Sequence, residues 1–177
     1  FPHYTQNAQT GKQTPCAPFH IKAAKEVKAN KNLRAVYRWH RGAAKSTHLD
    51  IFIPLWLKCQ ETREINVMVL VGKSEDNANT LLADLQAELQ YNQRYINDFG
   101  EQYNSGSWEE GQFVTKDGTA FFARGRGQSP RGLRYRSHRP DYVVIDDLDD
   151  DELCENPNRV QRLTDWVKEA LFGALDG

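Results

Sequence analysis

The chain has 177 residues and a net charge of -1, and 39% of its residues are apolar and 27% charged. This length and composition are typical of one globular domain with its own hydrophobic core. The longest apolar stretches, Ile51–Leu57 and Val67–Val71, are far shorter than the ~20 residues that a membrane span needs. Three scattered cysteines without a CxxC pair argue against a disulfide framework or a structural zinc site.

The small net charge hides an uneven distribution of charged residues. Residues 1–49 contain nine bases and one acid. Residues 124–139 contain six arginines and no acid, and residues 141–152 contain seven carboxylates and no base. Such blocks occur on solvated surfaces, but arginines spaced by glycines beside a carboxylate cluster favour a polyanion site with a metal ion nearby.

The first part of the chain predicts an arm, a helix, a strand and a second helix. Residues 1–20 lack hydrophobic periodicity and predict a flexible N-terminal arm. Ile21–Lys31 contains helix formers and predicts a short basic helix. Leu33–Trp39 alternates apolar with basic residues, which predicts a strand. Another helix is expected from Lys45, and Pro54 should kink or shorten it.

The middle of the chain predicts a buried strand, a helix and a hairpin. Ile65–Val71 is a short apolar run, typical of a strand covered on both faces. Ser74 is a predicted N-cap, and apolar residues at helical spacing follow it. The strands Phe113–Thr115 and Thr119–Ala123 are predicted to form a hairpin around the turn signal Asp117-Gly118.

The last part of the chain predicts a strand and a helix. Tyr142–Ile145 is a second apolar strand candidate, and Asn156-Pro157 supplies a cap and a first-turn proline for a final helix. The alternation of strands with helices predicts one α/β domain with a mostly parallel sheet.

Trp39–Thr47 is a candidate phosphate-binding loop, because it lies between a predicted strand and a predicted helix. Lys45 can reach phosphate oxygens and Ser46 can hold Mg²⁺, while the three small residues before Lys45 leave room for the backbone to approach. Trp39 and Ala44 occupy the glycine positions of GxxxxGK[ST], so the match is imperfect. The alternative is an ordinary strand-to-helix turn with a surface lysine.

Two further segments carry candidate functional residues. Asp146 and Asp147 directly follow the strand Tyr142–Ile145, where one carboxylate can hold a metal ion and the next can polarise a water molecule. Gly125–Arg134 contains arginines that can bind phosphate through paired donors. A solvated glycine-rich surface loop is the alternative for this second segment.

Together these segments resemble the large terminase subunit of tailed bacteriophages, the ATPase that pumps DNA into preformed heads. The similarity runs from about Leu33 to the C-terminus. It rests on Arg41-Gly42-Ala43-Ala44-Lys45-Ser46-Thr47, on Gly125-Arg126-Gly127 with Arg131-Gly132, and on Arg139-Pro140-Asp141 leading into the strand that ends at Asp146-Asp147. The terminase Walker A motif deviates from the standard form by an arginine four residues before its lysine, and Arg41 stands in that position here.

The resemblance implies a P-loop NTPase of the ASCE type, with a mostly parallel central sheet flanked by helices, that uses ATP and Mg²⁺. The implied nucleotide-binding residues are Arg41, Gly42, Ala43, Ala44, Lys45, Ser46 and Thr47. Lys45 would contact the β and γ phosphates, and Ser46 and Asp146 would hold Mg²⁺. Asp147 would be the catalytic acid. It is shorter than the glutamate usual in this class of motor, so either the water would sit closer or a later acid such as Asp150 or Glu152 would assist.

The resemblance also implies roles for arginines. Arg41 would sense the γ phosphate, and Arg131, Arg134 or Arg136 would act as an arginine finger on the nucleotide of a neighbouring subunit.

The expected domain organisation is a flexible arm over 1–20 and a P-loop ATPase domain over 21–177. This domain would be incomplete at its C-terminus and would lack the terminase nuclease domain. The implied partners are double-stranded DNA, the portal protein, the small terminase subunit and further copies of the chain in a ring. No membrane partner is implied, and the expected location is the cytoplasm of a bacterial host.

Two other functions compete with this interpretation. A metal-dependent nuclease could use Asp141, Asp146 and Asp147, with the arginines holding its substrate. A non-catalytic nucleic-acid-binding module would use only the basic segments.

Overall fold

A computed structural model describes residues 3–4, 12–13, 15–129 and 132–175. These residues form an α/β fold in which helices flank one five-stranded sheet of order β2-β3-β4-β1-β5. The strands are β1 (Val67–Gly72), β2 (Trp108–Glu109), β3 (Gln112–Val114), β4 (Ala120–Gly125) and β5 (Tyr142–Ile145). The α-helices are α1 (Pro18–Ala29), α2 (Ile53–Lys58), α3 (Glu75–Tyr91), α4 (Gln93–Phe99), α5 (Asp151–Cys154) and α6 (Pro157–Trp166). Segments Thr47–Phe52 and Val167–Leu171 are π-helical, and Phe172–Ala174 is a 3₁₀ turn.

The sheet is mixed, so the prediction of a mostly parallel sheet was wrong. Strand β1 pairs in parallel with β4 and with β5, but β3 pairs antiparallel with both β2 and β4. The reason is the predicted hairpin, which is confirmed: a tight turn at Lys116–Gly118 can join only antiparallel strands. Only the β4-β1-β5 half therefore has the parallel arrangement.

The core lies on both faces of β1, as the apolar run predicted. All six residues of β1 are buried, since this strand has a neighbour on each side and helices over the sheet. Helix α3 covers one face with three fully buried leucines, Leu82, Leu85 and Leu89. The predicted cap is confirmed, because the Ser74 side chain accepts a hydrogen bond from the Asn77 amide.

Two glycines allow α3 to begin directly over the strand ends. A Cβ atom on Gly125 would lie 2.6 Å from the Glu75 nitrogen, and one on Gly72 would overlap Asn77 Oδ1. Any side chain at Gly125 would push the helix away from the sheet. These close approaches set the distance between α3 and the carboxyl ends of β1 and β4.

The predicted strand Leu33–Trp39 does not form, and this prediction was wrong. The segment has no regular secondary structure and belongs to no strand of the sheet. Its alternating pattern arises because Tyr37 and Trp39 pack against the core while Val36, 87% exposed, points away. The Tyr37 hydroxyl also donates to Glu26 on α1, at 3.3 Å. The segment is therefore held by side chains and not by a ladder of backbone hydrogen bonds.

The helix predicted from Lys45 is present and runs over residues 45–58; we refer to it as the Lys45 helix. It is π-helical over Thr47–Phe52 and becomes α2 at Ile53, immediately before Pro54. A π-helical stretch is wider than an α-helix, so it accommodates the proline, whose ring would clash with a regular preceding turn. The helix continues for four residues beyond Pro54.

The first and last helices of the chain agree with the sequence predictions in kind and approximate position. The basic helix is confirmed but begins at Pro18, three residues earlier than predicted. The final helix is confirmed with its predicted cap, since the Asn156 side chain accepts from two backbone amides. Tyr4 packs on α4, where its hydroxyl donates to Asp98 at 2.9 Å. Half of the predicted arm, residues 1–20, lies outside the described residues, and its last three residues belong to α1.

Candidate nucleotide-binding site

The candidate site lies at the edge of the sheet where β1, β4 and β5 end. These three strands are parallel, so their carboxyl ends meet at one edge, which is where open α/β sheets bind ligands. Lys73 directly follows β1, Arg126 directly follows β4, and Asp146 directly follows β5. The start of the Lys45 helix lies at the same edge, because it contacts Asp146.

Lys45, Ser46 and Asp146 form the centre of this site. The Lys45 ammonium lies 2.5 Å from Asp146 Oδ1, and the Ser46 hydroxyl donates a short hydrogen bond to Asp146 Oδ2. The Asp146 side chain is 5% exposed and that of Lys45 is 41% exposed. The predicted loop and the predicted acid-tipped strand therefore converge, with the carboxylate buried and the lysine open to solvent on one side.

The electrostatics at the centre involve a second buried carboxyl group, that of Asp50. Burial alone would raise the pKa of Asp146, but hydrogen bonds from Lys45 and Ser46 outweigh it and lower that pKa. Burial raises the pKa of Asp50 to about 8, and the neighbouring Asp146 carboxylate adds to the shift. Asp146 is thus held as the anion, whereas Asp50 retains its proton to a higher pH.

The backbone before the Lys45 helix forms a compact turn. The Ala43 amide donates to the His40 carbonyl at 3.1 Å, and the helix begins with the His48 amide donating to the Ala44 carbonyl. Gly42 and Ala44 both have left-handed backbones, with φ of 83° and 53°. Ala44 stands where the standard motif has glycine, and its positive φ is the conformation that glycine adopts without strain. The turn thus keeps a glycine-like shape at that position.

Helix α1 supports this turn from outside. The His20 ring bonds through Nε2 to the Ala43 carbonyl at 2.8 Å, and its Nδ1 accepts from the Ala17 amide at 3.1 Å. The same ring stacks on that of His48, with centroids 3.6 Å apart. The turn is therefore fixed on its outer side by α1, while Arg41 itself is exposed.

Two of the acids after Asp146, Asp147 and Asp150, are paired with bases from the other strand ends. Asp147 has a left-handed backbone, φ 52°, and its carboxylate lies 3.5 Å from the Lys73 ammonium. Arg126 lies 2.8 Å from Asp150 and donates to the Leu148 carbonyl at 3.1 Å. These contacts hold the loop after β5 against the ends of β1 and β4. The Glu152 side chain lies outside the described part of the structure.

The three arginines considered for action on a neighbouring subunit remain a prediction. Arg131 lies outside the described residues. Arg134 and Arg136 are exposed, and Arg136 lies over the Tyr135 ring, 5.2 Å from its centroid. Arg136 lies in a turn closed by paired hydrogen bonds between Tyr135 and His138, and Arg134 directly precedes that turn.

Asp141 does not join the other acids. Its carboxylate accepts hydrogen bonds from the Asn66 and Val67 amides, at 2.8–3.1 Å, at the start of β1. Asp146 follows the other end of β5, five residues further on, which is roughly 16 Å at ~3.3 Å per extended residue. The nuclease site built on Asp141, Asp146 and Asp147 therefore does not form, because a strand separates its members.

Asp50 and Lys73 were missed by reasoning from the sequence, and Arg126 was named only as one arginine of the candidate segment Gly125–Arg134. The positions of Lys73 and Arg126 could have indicated the site, because these residues directly follow β1 and β4. Both strands are parallel to β5, so the three strands end at the same edge of the sheet. Asp50 lies four positions after Ser46, so helical spacing could have placed the two on one face. Its position near Asp146 depends on how the helix docks on β5, which the sequence does not specify.

The oxygen atoms at the centre fit Mg²⁺. A hydroxyl and a carboxylate are hard donors, and Mg²⁺ in phosphate sites takes only one or two carboxylates from the protein. Asp146 Oδ1 is buried and has no hydrogen-bond partner besides its ion pair with Lys45. Within the described residues, no group of three or more His, Cys, Asp or Glu side chains could hold a metal ion. Phosphate oxygens would have to complete the coordination.

Comparison of the chain with protein-family models, with curated proteins and with solved structures found no match. In the part of the chain that the structure describes, no helix combines the length and the apolarity that crossing a membrane requires. The α/β architecture and the convergence at the sheet edge are therefore the basis for a functional proposal.

Proposed function

We propose that this chain is an ATP hydrolase of the P-loop type that drives double-stranded DNA into a phage procapsid. The observation that supports it is the meeting of Lys45 and Ser46, at the start of a helix, with Asp146 at the end of a parallel strand. A lysine, a hydroxyl and a carboxylate around one point are the groups that Mg-ATP requires.

In this proposal each residue has a defined task. Lys45 exchanges its contact with Asp146 for the β and γ phosphates, and the amides at the start of the Lys45 helix offset phosphate charge. Ser46 and Asp146 would hold Mg²⁺, and the ion would supply positive charge beside the transferred phosphoryl group. Asp147 orients the attacking water, and Arg41 contacts the γ phosphate.

The motor function extends this site to other molecules. Arg134 or Arg136, or Arg131 in the undescribed segment, acts on the nucleotide of the next subunit in a ring. The basic segments contact DNA phosphates without reading sequence. Full activity requires the portal protein and the small terminase subunit in the host cytoplasm, so the isolated chain hydrolyses ATP slowly or not at all.

Titration of a fluorescent, non-hydrolysable ATP analogue in the presence of Mg²⁺ tests the nucleotide site. Removing the Lys45 amine deletes a charge-assisted contact, so Lys45→Ala should bind about tenfold more weakly or worse. Lys22→Ala is the matched control, since Lys22 is an exposed lysine on α1. Equal affinity of the wild type and Lys45→Ala would rule out this phosphate site.

The remaining alternative, a non-catalytic nucleic-acid-binding module, predicts a different result. DNA binding by such a module would be unaffected by ATP or Mg²⁺, whereas a motor subunit should change its DNA affinity with the nucleotide state. Fluorescence anisotropy of a labelled duplex, measured with and without Mg²⁺ and the ATP analogue, distinguishes the two.

A further inference from the structure

His20, in the first turn of α1, uses both nitrogens of its ring. The Ala17 amide can only donate, so His20 Nδ1 accepts from it, at 3.1 Å. In a neutral imidazole the other nitrogen then carries the hydrogen, and Nε2 donates to the Ala43 carbonyl at 2.8 Å. Because the first of these bonds lies within the helix start, α1 itself orients the ring toward the turn.

The His20 ring is also held through its face. It stacks on the His48 ring, with centroids 3.6 Å apart and ring planes 20° from parallel. The Trp39 ring lies beside it, at 5.1 Å between centroids. His48 is 8% exposed and belongs to the Lys45 helix, so His20 joins α1 both to the turn and to the helix that follows the turn.

The carbonyl that His20 contacts belongs to the peptide between Ala43 and Ala44. This peptide is trans, so its carbonyl and its N–H point in opposite directions within one plane. The Ala44 amide therefore points away from α1, and it donates to no backbone carbonyl of the described residues. An amide left unbonded just before a helix is a donor for phosphate oxygens.

The backbone of Ala44 needs support on both sides. A left-handed φ of 53° is disfavoured for a residue with a side chain and persists only where the surrounding structure holds it. His20 holds the peptide before Ala44, and the His48 amide, 3.0 Å from the Ala44 carbonyl, holds the peptide after it. Without the contact from His20, the first peptide can rotate and turn the Ala44 amide away from a bound phosphate.

We propose that His20 is a positioning residue: by holding the Ala43 carbonyl it aims the Ala44 amide at the phosphates and so sets the affinity of the turn for a nucleoside triphosphate. This inference rests on the proposed nucleotide site and adds to it a residue that touches neither the phosphates nor the cation. A site whose binding-competent form is only partly populated loses affinity in proportion to that fraction. Loss of one hydrogen bond should therefore weaken binding about five- to tenfold.

Titration of the fluorescent ATP analogue in the presence of Mg²⁺ compares substitutions in the whole chain. His20→Phe keeps a ring against His48 but has no donor, so it should bind the analogue about five- to tenfold more weakly than the wild type does. His20→Gln places an amide donor near the position of Nε2 and should restore affinity to within about twofold. Val27→Ala is the matched control, since it loosens the packing of α1 on the core and leaves the His20 ring unchanged.

Competition between inorganic tripolyphosphate and the analogue identifies the part of the nucleotide that His20 affects. If His20 positions the phosphate-binding turn, His20→Phe should weaken the binding of tripolyphosphate and of the analogue by the same factor. A loss for the analogue alone, or failure of tripolyphosphate to compete in the wild type, would assign the effect to the nucleoside and overturn the inference.

Three results of the analogue titration would also overturn it: wild-type affinity in His20→Phe, an equal loss in Val27→Ala, or no recovery in His20→Gln. Circular dichroism and urea denaturation identify a variant that does not fold. His20→Leu then replaces His20→Phe, with the same expected loss and the same overturning result. Failure of the wild type itself to bind the analogue would instead refute the proposed function.

Discussion

The Lys45 ammonium lies 2.5 Å from the Asp146 carboxylate, so one ion pair joins the turn before the Lys45 helix to the end of β5. The neighbouring hydrogen bond, from Ser46 to the same carboxylate, spans one hundred residues of sequence. The two contacts set the position of the phosphate-loop candidate relative to the sheet. Variants around this junction should therefore separate nucleotide binding, hydrolysis and stability.

Asp147→Asn should strongly reduce hydrolysis while leaving nucleotide binding intact. Asparagine tolerates the left-handed backbone at this position, so the substitution changes the charge and not the turn. Loss of the group that orients water should reduce turnover about 100-fold or more. Phosphate release in an assembled packaging reaction measures the effect, with Asp149→Asn as the control in the same loop. Undiminished turnover in Asp147→Asn would assign the catalytic role to another acid.

Binding of the ATP analogue should survive the substitution Ala44→Gly but not Ala44→Val. The backbone of Ala44 is left-handed, with φ of 53°. Glycine adopts this conformation freely, whereas a β-branched residue is strongly disfavoured in it. Binding of the ATP analogue should be unchanged in Ala44→Gly and at least about tenfold weaker in Ala44→Val. Similar affinities in the two variants would mean that the turn does not need its present shape.

Gly125→Ala should destabilise the protein through the contact between α3 and the sheet. The added methyl group would lie 2.6 Å from the Glu75 nitrogen, a backbone atom that cannot rotate away. We expect a loss of about 1–3 kcal/mol in the free energy of unfolding, measured by urea denaturation. Gly106→Ala is the control, because its new Cβ would meet nothing closer than 3.7 Å. Equal losses in both variants would contradict the close approach.

Because Lys58 is buried beside Asp117, removing the acid should destabilise the protein more than removing the lysine. Its side chain is 2% exposed and contacts Asp117 and Gln102, and burial lowers its pKa. Asp117→Ala leaves the buried ammonium without its counter-ion and should cost about 3–5 kcal/mol. Lys58→Met should cost less than about 1 kcal/mol, since Asp117 keeps its hydrogen bond from Thr115. Urea denaturation measures the free energy of unfolding of both variants. Equal losses would contradict the idea that an unpaired buried ammonium is the main cost.

His48 should make the folded state sensitive to acid. Burial lowers the pKa of His48 to about 4, and the neighbouring His20 contributes. Between pH 6.5 and 4 the unfolded chain binds a proton at this position that the folded chain excludes, so stability falls as the pH falls. His48→Gln lacks this contribution.

The difference in free energy of unfolding between wild type and His48→Gln is therefore the quantity to measure. Between about pH 7 and about pH 4, the wild type should lose up to about 3 kcal/mol more of its free energy of unfolding than His48→Gln does. Asp50, whose raised pKa acts in the opposite direction, is present in both proteins and cancels. Parallel pH profiles would show that His48 is not shielded from protons.

The sequence by itself determined the elements whose signals are local. The apolar run of β1, the Ser74 cap of α3, the hairpin turn at Asp117-Gly118 and the Asn156-Pro157 start of α6 all form as predicted. Such patterns act through neighbouring residues, because caps and turns satisfy nearby backbone groups and periodicity reflects burial along one element. The pairing of Lys45 with Asp146 was also foreseen, from the order of loop and strand.

Tertiary structure decided which elements pair and which side chains meet. Leu33–Trp39 alternates like a strand but packs through its side chains, and no local signal distinguishes these two outcomes. Asp141 and Asp146 lie five residues apart yet occupy opposite ends of β5, whereas Arg126 reaches Asp150 from the end of another strand. Strand order and helix docking depend on the simultaneous burial of many residues far apart in the chain, so these relationships exist only in the folded protein.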